Sequence, residues 1–74
     1  MPYDAIDDLP APVRHALPPH AQEIFLGAFN GAWRTYGGAA NPRIEEIANR
    51  VAWSAVKKVY VKHADGWVRR GDGA

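Results

Sequence analysis

The run His20-Ala21-Gln22-Glu23-Ile24-Phe25-Leu26-Gly27-Ala28-Phe29-Asn30-Gly31-Ala32-Trp33-Arg34-Thr35-Tyr36 sets the architecture of this chain. Its apolar positions are Ala21, Ile24, Phe25, Ala28, Phe29, Ala32, Trp33 and Tyr36, recurring at intervals of three and four. That spacing lays them along one stripe of an α-helix. Aromatic rings on such a stripe are also what a base-stacking platform needs. Here Phe25, Phe29, Trp33 and Tyr36 share the stripe with Ile24, Ala28 and Ala32, so core packing is the better reading. Gly27 and Gly31 lie on another side of the helix. Each costs about 1 kcal/mol relative to Ala in a helix interior. They either permit close approach of another helix or occupy tolerated surface positions, and the second reading is favoured.

The boundaries of this helix are legible. It starts near Pro18 or Pro19 and ends at Gly37-Gly38, glycine being the residue that enters left-handed dihedrals without strain. A third helix is expected over 42–60, with Asn41 as its cap and Pro42 as its first residue. Its stripe is Ile44, Ile47, Ala48, Val51, Ala52, Ala55, Val56 and Val59, facing that of the second helix. Glu45 and Glu46 lie near its positive end, and Lys57 and Lys58 near its negative end. Trp53 falls off the stripe and either packs under the tail beside Tyr60 or is exposed for a partner; packing is favoured, because a large buried aromatic contributes ~1.5–3 kcal/mol.

Upstream, Pro10 and Pro12 suit the first turn of a short helix over 10–16. Asp7 and Asp8 precede it, where carboxylates meet the positive end of the dipole. Leu17 stands before a proline and is pushed out of helical dihedrals. Downstream, Val61-Lys62-His63-Ala64, Asp65-Gly66 and Trp67-Val68-Arg69 read as a small hairpin around an Asp-Gly turn. Two short strands alone are marginal, and Tyr3 is the candidate for a third.

Seventy-four residues make a single domain, expected over 1–70, with 71–74 as a disordered tail. At this size one core supplies only about 3–5 kcal/mol net. With no cysteine, neither a disulfide framework nor a thiolate metal site assists, so the 47% apolar content carries the stability. The net charge of +1 excludes strong steering toward nucleic acid or anionic membrane. The charge is nevertheless uneven. Residues 1–40 total −2, with Asp4, Asp7, Asp8 and Glu23 against Arg14 and Arg34. Residues 41–74 total +3, with seven Lys/Arg against Glu45, Glu46, Asp65 and Asp72. No apolar run approaches the ~20 residues that span a bilayer, and no signal pattern opens the chain, so membrane insertion is not expected and a cytoplasmic location is.

Several short motifs, taken in order, resemble the ChaB family: Met1-Pro2-Tyr3, Leu9-Pro10, Leu17-Pro18, His20-Ala21-Gln22, Ala28-Phe29-Asn30, Ala32-Trp33 and Val51-Ala52-Trp53. The resemblance runs from Met1 to about Arg69. It implies a mainly α fold of three helices, one short and two long, packed with a small terminal β-sheet in a cyclin-box-like arrangement. It also implies a small cytoplasmic regulator of cation transport whose partner is a protein, a membrane cation antiporter by the family label. Some viral relatives are associated with DNA.

Chemistry is sparse. His15 and His20 are five apart, whereas two ligands on one helix face need three or four, and prolines intervene, so His15, His20 and His63 are not read as a metal site. His20 is expected to bond a helix-start backbone group or a nearby side chain, and its place in the His-Ala-Gln motif of the resemblance implies a structural role shared with Gln22. Asp7-Asp8 and Glu45-Glu46 are explained by helix dipoles, not by convergence in a dry cleft. No nucleophile–base pattern or phosphate loop is present, so the chain is read as non-catalytic and without a cofactor. In some relatives the loop between the long helices is long and highly charged. Here it is Gly37-Gly38-Ala39-Ala40-Asn41, too poor in oxygen ligands for calcium, which takes about 6–8. The remaining candidate surface is basic: Arg50, Lys57, Lys58, Lys62, Arg69 and Arg70. The favoured reading of these residues is a solvated face with helix-dipole complementarity; as a site they are expected to serve a protein partner or, as the alternative, weak sequence-independent nucleic-acid binding through phosphate contacts.

Overall fold

The computed structural model describes residues 3–63 and 66–70. Three helices, α1 (Ala11–Ala16), α2 (Pro19–Thr35) and α3 (Ile44–Val59), lead into strands β1 (Tyr60–His63) and β2 (Gly66–Arg69). Single 3-10 turns at Ile6–Asp8 and Gly38–Ala40 precede α1 and α3. The expected class, one short and two long helices with a small sheet, is the architecture observed.

α2 and α3 form a helical hairpin, and the core lies between them. Its fully covered positions on α2 are Ala21, Phe25, Phe29 and Ala32; on α3 they are Ile44, Ala48, Ala52 and Val56, with Tyr60 one further turn along. On α3 these fall at strict intervals of four, the row that forms a ridge on a helix surface. Large and small residues are divided between the helices. Two phenyl rings come from α2, their centroids 6.1 Å apart, while Ala48 and Ala52 on α3 have no exposed surface. Alanines allow the backbones to come close enough for the rings to be enclosed at native packing density. Leu9, Val13 and Leu17 continue the same cluster onto the amino-terminal segment.

The turn between the long helices differs in detail from expectation. Gly37 (φ 97°) and Gly38 (φ 56°) take left-handed dihedrals and stop α2, as anticipated. α3, however, starts at Ile44 and not at Pro42. Asn41 accepts the Arg43 N–H on its side-chain oxygen at 2.9 Å, while its backbone oxygen accepts from the Ile44 N–H at 3.0 Å. The asparagine therefore builds a turn of the kind its side chain favours, and Pro42 supplies a preset φ within that turn. Asn41 also donates from Nδ2 to the Tyr36 carbonyl at 2.8 Å, tying the end of α2 to the approach to α3.

Tyr36 is a second correction. It continues the apolar stripe in sequence but is 49% exposed, because the chain reverses there and no helical turn faces it. Trp33, read as core, sits at the margin: it stacks on Phe29 at 6.0 Å and is only partly buried. Gly27 and Gly31 are surface positions, since a Cβ at either meets nothing within 4 Å.

Tyr3 does not form a strand. Among the described residues the sheet has two strands. The Tyr3 backbone is instead clasped by the Asn30 amide, which accepts from its N–H at 2.9 Å and donates to its carbonyl at 2.7 Å. The ring packs on Phe29 at 4.9 Å. Burial, reinforced by the nearby Glu45 carboxylate, pushes the Tyr3 phenol above its ordinary value. The strands pair antiparallel, Tyr60 with Arg69 through to His63 with Gly66. Gly66 thus belongs to β2, where its φ of 137° is open to glycine, while Ala64, Asp65 and the 71–74 tail lie outside the described residues.

Two stability outcomes follow from this packing. Phe25→Ala is expected to cost ~3–5 kcal/mol, as much as such a domain holds, and to leave the protein largely unfolded. Trp33→Ala, at the core margin, is expected to cost nearer ~2 kcal/mol and to retain a cooperative transition of lowered midpoint. Thermal melts followed by far-UV circular dichroism distinguish them. In the opposite direction, Gly27→Ala is expected to stabilise by ~0.5–1 kcal/mol in urea unfolding, since helix propensity improves and nothing is displaced.

Candidate partner surface around the terminal hairpin

Polar side chains pin each peripheral segment to the α2–α3 hairpin. Gln22 donates from Nε2 to the carbonyls of Leu17 at 2.8 Å and Arg14 at 3.1 Å. These are carbonyls left unpaired at the end of α1. His20 Nδ1 lies 3.0 Å from the Tyr60 hydroxyl, joining the first turn of α2 to the start of β1. The expectation that His20 bonds a nearby side chain is met by a partner forty residues away. Arg70 closes the other end: its backbone N–H donates to the Val59 carbonyl at 2.8 Å and its Nε to the Lys57 carbonyl at 2.9 Å. A guanidinium on the last carbonyls of α3 meets both their hydrogen-bonding need and the negative end of the dipole.

Trp67 on β2 is the centre of the exposed face thus created. Trp53 lies between Phe25 (5.3 Å, edge-on) and Trp67 (5.7 Å), so it packs under the tail as anticipated, with Trp67 as its direct neighbour there. The ammonium of Lys62, the cross-strand partner of Trp67, stands 5.7 Å from the indole centroid. That is within cation–π range, worth about 0.5–1 kcal/mol at an exposed site. A shallow pocket of about 240 Å³ is lined by Lys57, Tyr60, Val61, Lys62, Trp67 and Arg70. A larger open groove of about 500 Å³ runs along β2, with Gly66, Trp67 and Val68 on one wall and Ala16, Leu17 and Pro18 on the other. His15 and His63 complete its lining.

The six basic candidates are therefore divided. Lys57, Lys62 and Arg70 are brought together around the indole. Lys58 and Arg69 are exposed but do not line that pocket. Arg50 stands apart on α3: its guanidinium is 3.4 Å from Glu46, which also receives Arg43 at 3.3 Å. Such exposed pairs contribute little to stability, but they offset the charge Arg50 would bring to an anion. What the sequence reading missed is the position of Trp67 and the placing of His15 and His63 on one groove. The cross-strand register was the available signal for Lys62 and Trp67. Nothing in the spacing signals the histidines, which come from segments forty-eight residues apart. Among the described residues no group of three His, Asp or Glu side chains gathers to hold a metal ion, and no buried side-chain polar atom lacks a partner.

Fold and surface together define a small helical-hairpin domain, closed by a β-hairpin whose outer face is basic and aromatic. The chain belongs to the ChaB family, whose model matches residues 9–70. It is 48% identical over 69 residues to the "Putative cation transport regulator ChaB" of Escherichia coli strain K12, covering 88% of this chain and 91% of that protein. The protein of the same name from Shigella flexneri matches to the same extent. The solution NMR structure of a "putative cation transport regulator ChaB" superposes with a TM-score of 0.82 at 44% identity, covering 95% of this chain and all of that one.

The long-range bond at the start of β1 is open to direct measurement. In a double-mutant cycle of His20→Ala and Tyr60→Phe, a coupling of about 0.5–1.5 kcal/mol is expected from urea denaturation. Additive effects would mean the pair contributes nothing in solution.

Proposed function

We propose that this chain is a non-catalytic regulator of cation transport that acts by protein–protein contact, the partner being a membrane cation antiporter approached from the cytoplasm. One observation carries the reading: its relatives bear the name cation transport regulator over nearly their full length. Two features of the molecule support it. Polar side chains such as His20, Gln22 and Asn30 are engaged in holding the fold, so they are not poised for reaction. No helix of the described residues is long and apolar enough to cross a membrane, so contact with a transporter would be made from outside the bilayer.

The surface proposed for that contact is the face around Trp67, with Lys57, Lys62 and Arg70 as its cations and Lys58, Arg69 and Arg50 beyond them. A partly buried aromatic ringed by cations is a composition favoured at protein interfaces, where Trp, Tyr and Arg carry most of the energy. The same cations would serve nucleic acid in the alternative reading, with the steep salt dependence that phosphate contacts impose.

The experiment is affinity purification from detergent-solubilised membranes, comparing the native chain with a Lys57→Glu, Lys62→Glu double variant. A cation antiporter enriched by the native chain and reduced about tenfold by the variant is the expected result. Recovery of no transporter would overturn the reading. Duplex DNA titrated at low and high salt in parallel shows whether the same face answers to phosphate instead.

A further inference from the structure

Among the described residues no third strand pairs with β2, which leaves that edge open, and the register shows which groups face outward. Arg70 donates its N–H to the Val59 carbonyl, and Val59 and Arg70 stand in line with the ladder that pairs Tyr60 with Arg69. In an antiparallel pair, hydrogen-bonded and non-hydrogen-bonded positions alternate. Val61 with Val68 and His63 with Gly66 are therefore the bonded pairs, while Tyr60 with Arg69 and Lys62 with Trp67 are not. The backbone N–H and C=O groups of Trp67 and Arg69 consequently point away from β1, toward the open side of β2.

That side is not a flat exposed margin. The groove of about 500 Å³ runs there, floored by β2 and walled by the junction of α1 and α2 at Ala16, Leu17 and Pro18. Its volume lies within the range of about 300–1,000 Å³ found for binding clefts. Its titratable lining is two imidazoles, His15 and His63, and none of the described lining residues is acidic. A free strand edge is a template for another strand, and a two-stranded sheet gains most from one, since two strands alone are marginal.

We propose that the edge of β2 is the docking site for an extended, carboxylate-bearing segment of a protein partner, which adds as a third strand. Backbone bonds to Trp67 and Arg69 supply the affinity, and the groove between β2 and the α1–α2 junction receives the alternate side chains, as in other cases of strand addition. Acidic side chains on that segment meet His15 and His63 in the groove, while its alternate apolar side chains lie on the face of β2 that carries Trp67 and Arg69. This deepens the reading that the chain acts by protein contact and rests on it.

The test is amide-resolved NMR of the full chain titrated with an acetylated, amidated eight-residue peptide alternating valine and glutamate. Its arms separate backbone pairing from charge. Arg69→Ala removes the guanidinium and keeps the outward N–H. Arg69→Pro also removes that N–H, at an edge position where proline is tolerated because no ladder bond is lost. Unchanged helical amides and far-UV spectra establish that both variants fold. The expected result is saturable shifts at 15–18 and 66–69, with slowed exchange at the Trp67 and Arg69 amides. Arg69→Ala should bind within about threefold of the native chain, and Arg69→Pro at least about tenfold more weakly, a loss of ~1.4 kcal/mol. Four results would overturn the proposal: silence at millimolar peptide; equal binding by the two variants; shifts on Lys57, Lys62 and Arg70 that vanish with salt; or a dimer that protects the edge before any peptide is added. Failure here with a transporter still captured would move the contact to another face. Peptide binding without transporter capture would retain the edge and remove the antiporter.

Discussion

Enclosure of Phe25 and Phe29 against the alanine ridge of α3 is the constraint on which the rest of the molecule depends. With no disulfide available, a chain of this size stands on a single core, and here that core is two rings set into the space that Ala48 and Ala52 leave. Tyr3, Trp33 and Trp53 pack at its margins, against Phe29 and Phe25. Every other segment is positioned relative to this interface. Asn30, one residue beyond Phe29, holds the Tyr3 backbone; Gln22, one residue beyond Ala21, holds the end of α1. The covered face of α2 thus carries the core, and its flank carries the clamps.

This division explains what the family motifs mean physically. In His20-Ala21-Gln22, the imidazole reaches Tyr60, the alanine is fully covered, and the amide satisfies the carbonyls of α1. In Ala28-Phe29-Asn30, the phenyl ring is core and the amide is the clasp on the Tyr3 backbone. In Val51-Ala52-Trp53, the alanine belongs to the ridge and the indole bridges Phe25 to Trp67. The residues that mark the family are those that close the fold. A match to them establishes architecture with great specificity, and chemistry hardly at all. The partner contact proposed above uses the face that these residues leave free, around Trp67 and along the edge of β2.

The amphipathic spacing of α2 and α3 was legible because three-to-four periodicity follows from helix geometry alone. The stop at Gly37-Gly38 was legible because few residues other than glycine take those dihedrals. Both readings rest on local rules that hold wherever the segment ends up. Where local rules competed, the outcome was not legible. Asn41-Pro42 suits a helix cap and suits a turn equally well, and the turn prevailed, moving the start of α3 to Ile44. Tyr36 obeys the stripe but lies where the chain reverses, so periodicity placed it in a core that ends a turn earlier.

What the amino-acid order determined by itself is the set of elements and the rings that fill the core, since propensity, periodicity and capping act between neighbours. Tertiary structure alone decided which distant groups meet, His20 with Tyr60, Asn30 with Tyr3 and Arg70 with Lys57, and that His15 and His63 line one groove. These pairings depend on how far one helix overlaps another and on the direction in which β1 leaves α3. Both are settled by packing of the whole chain, because burial is non-directional and many local patterns satisfy it equally. The candidate surface belongs to this second category. Its cations were visible as residues, but the indole at their centre and the open strand edge beside it exist only once the hairpin is laid against α1 and α2.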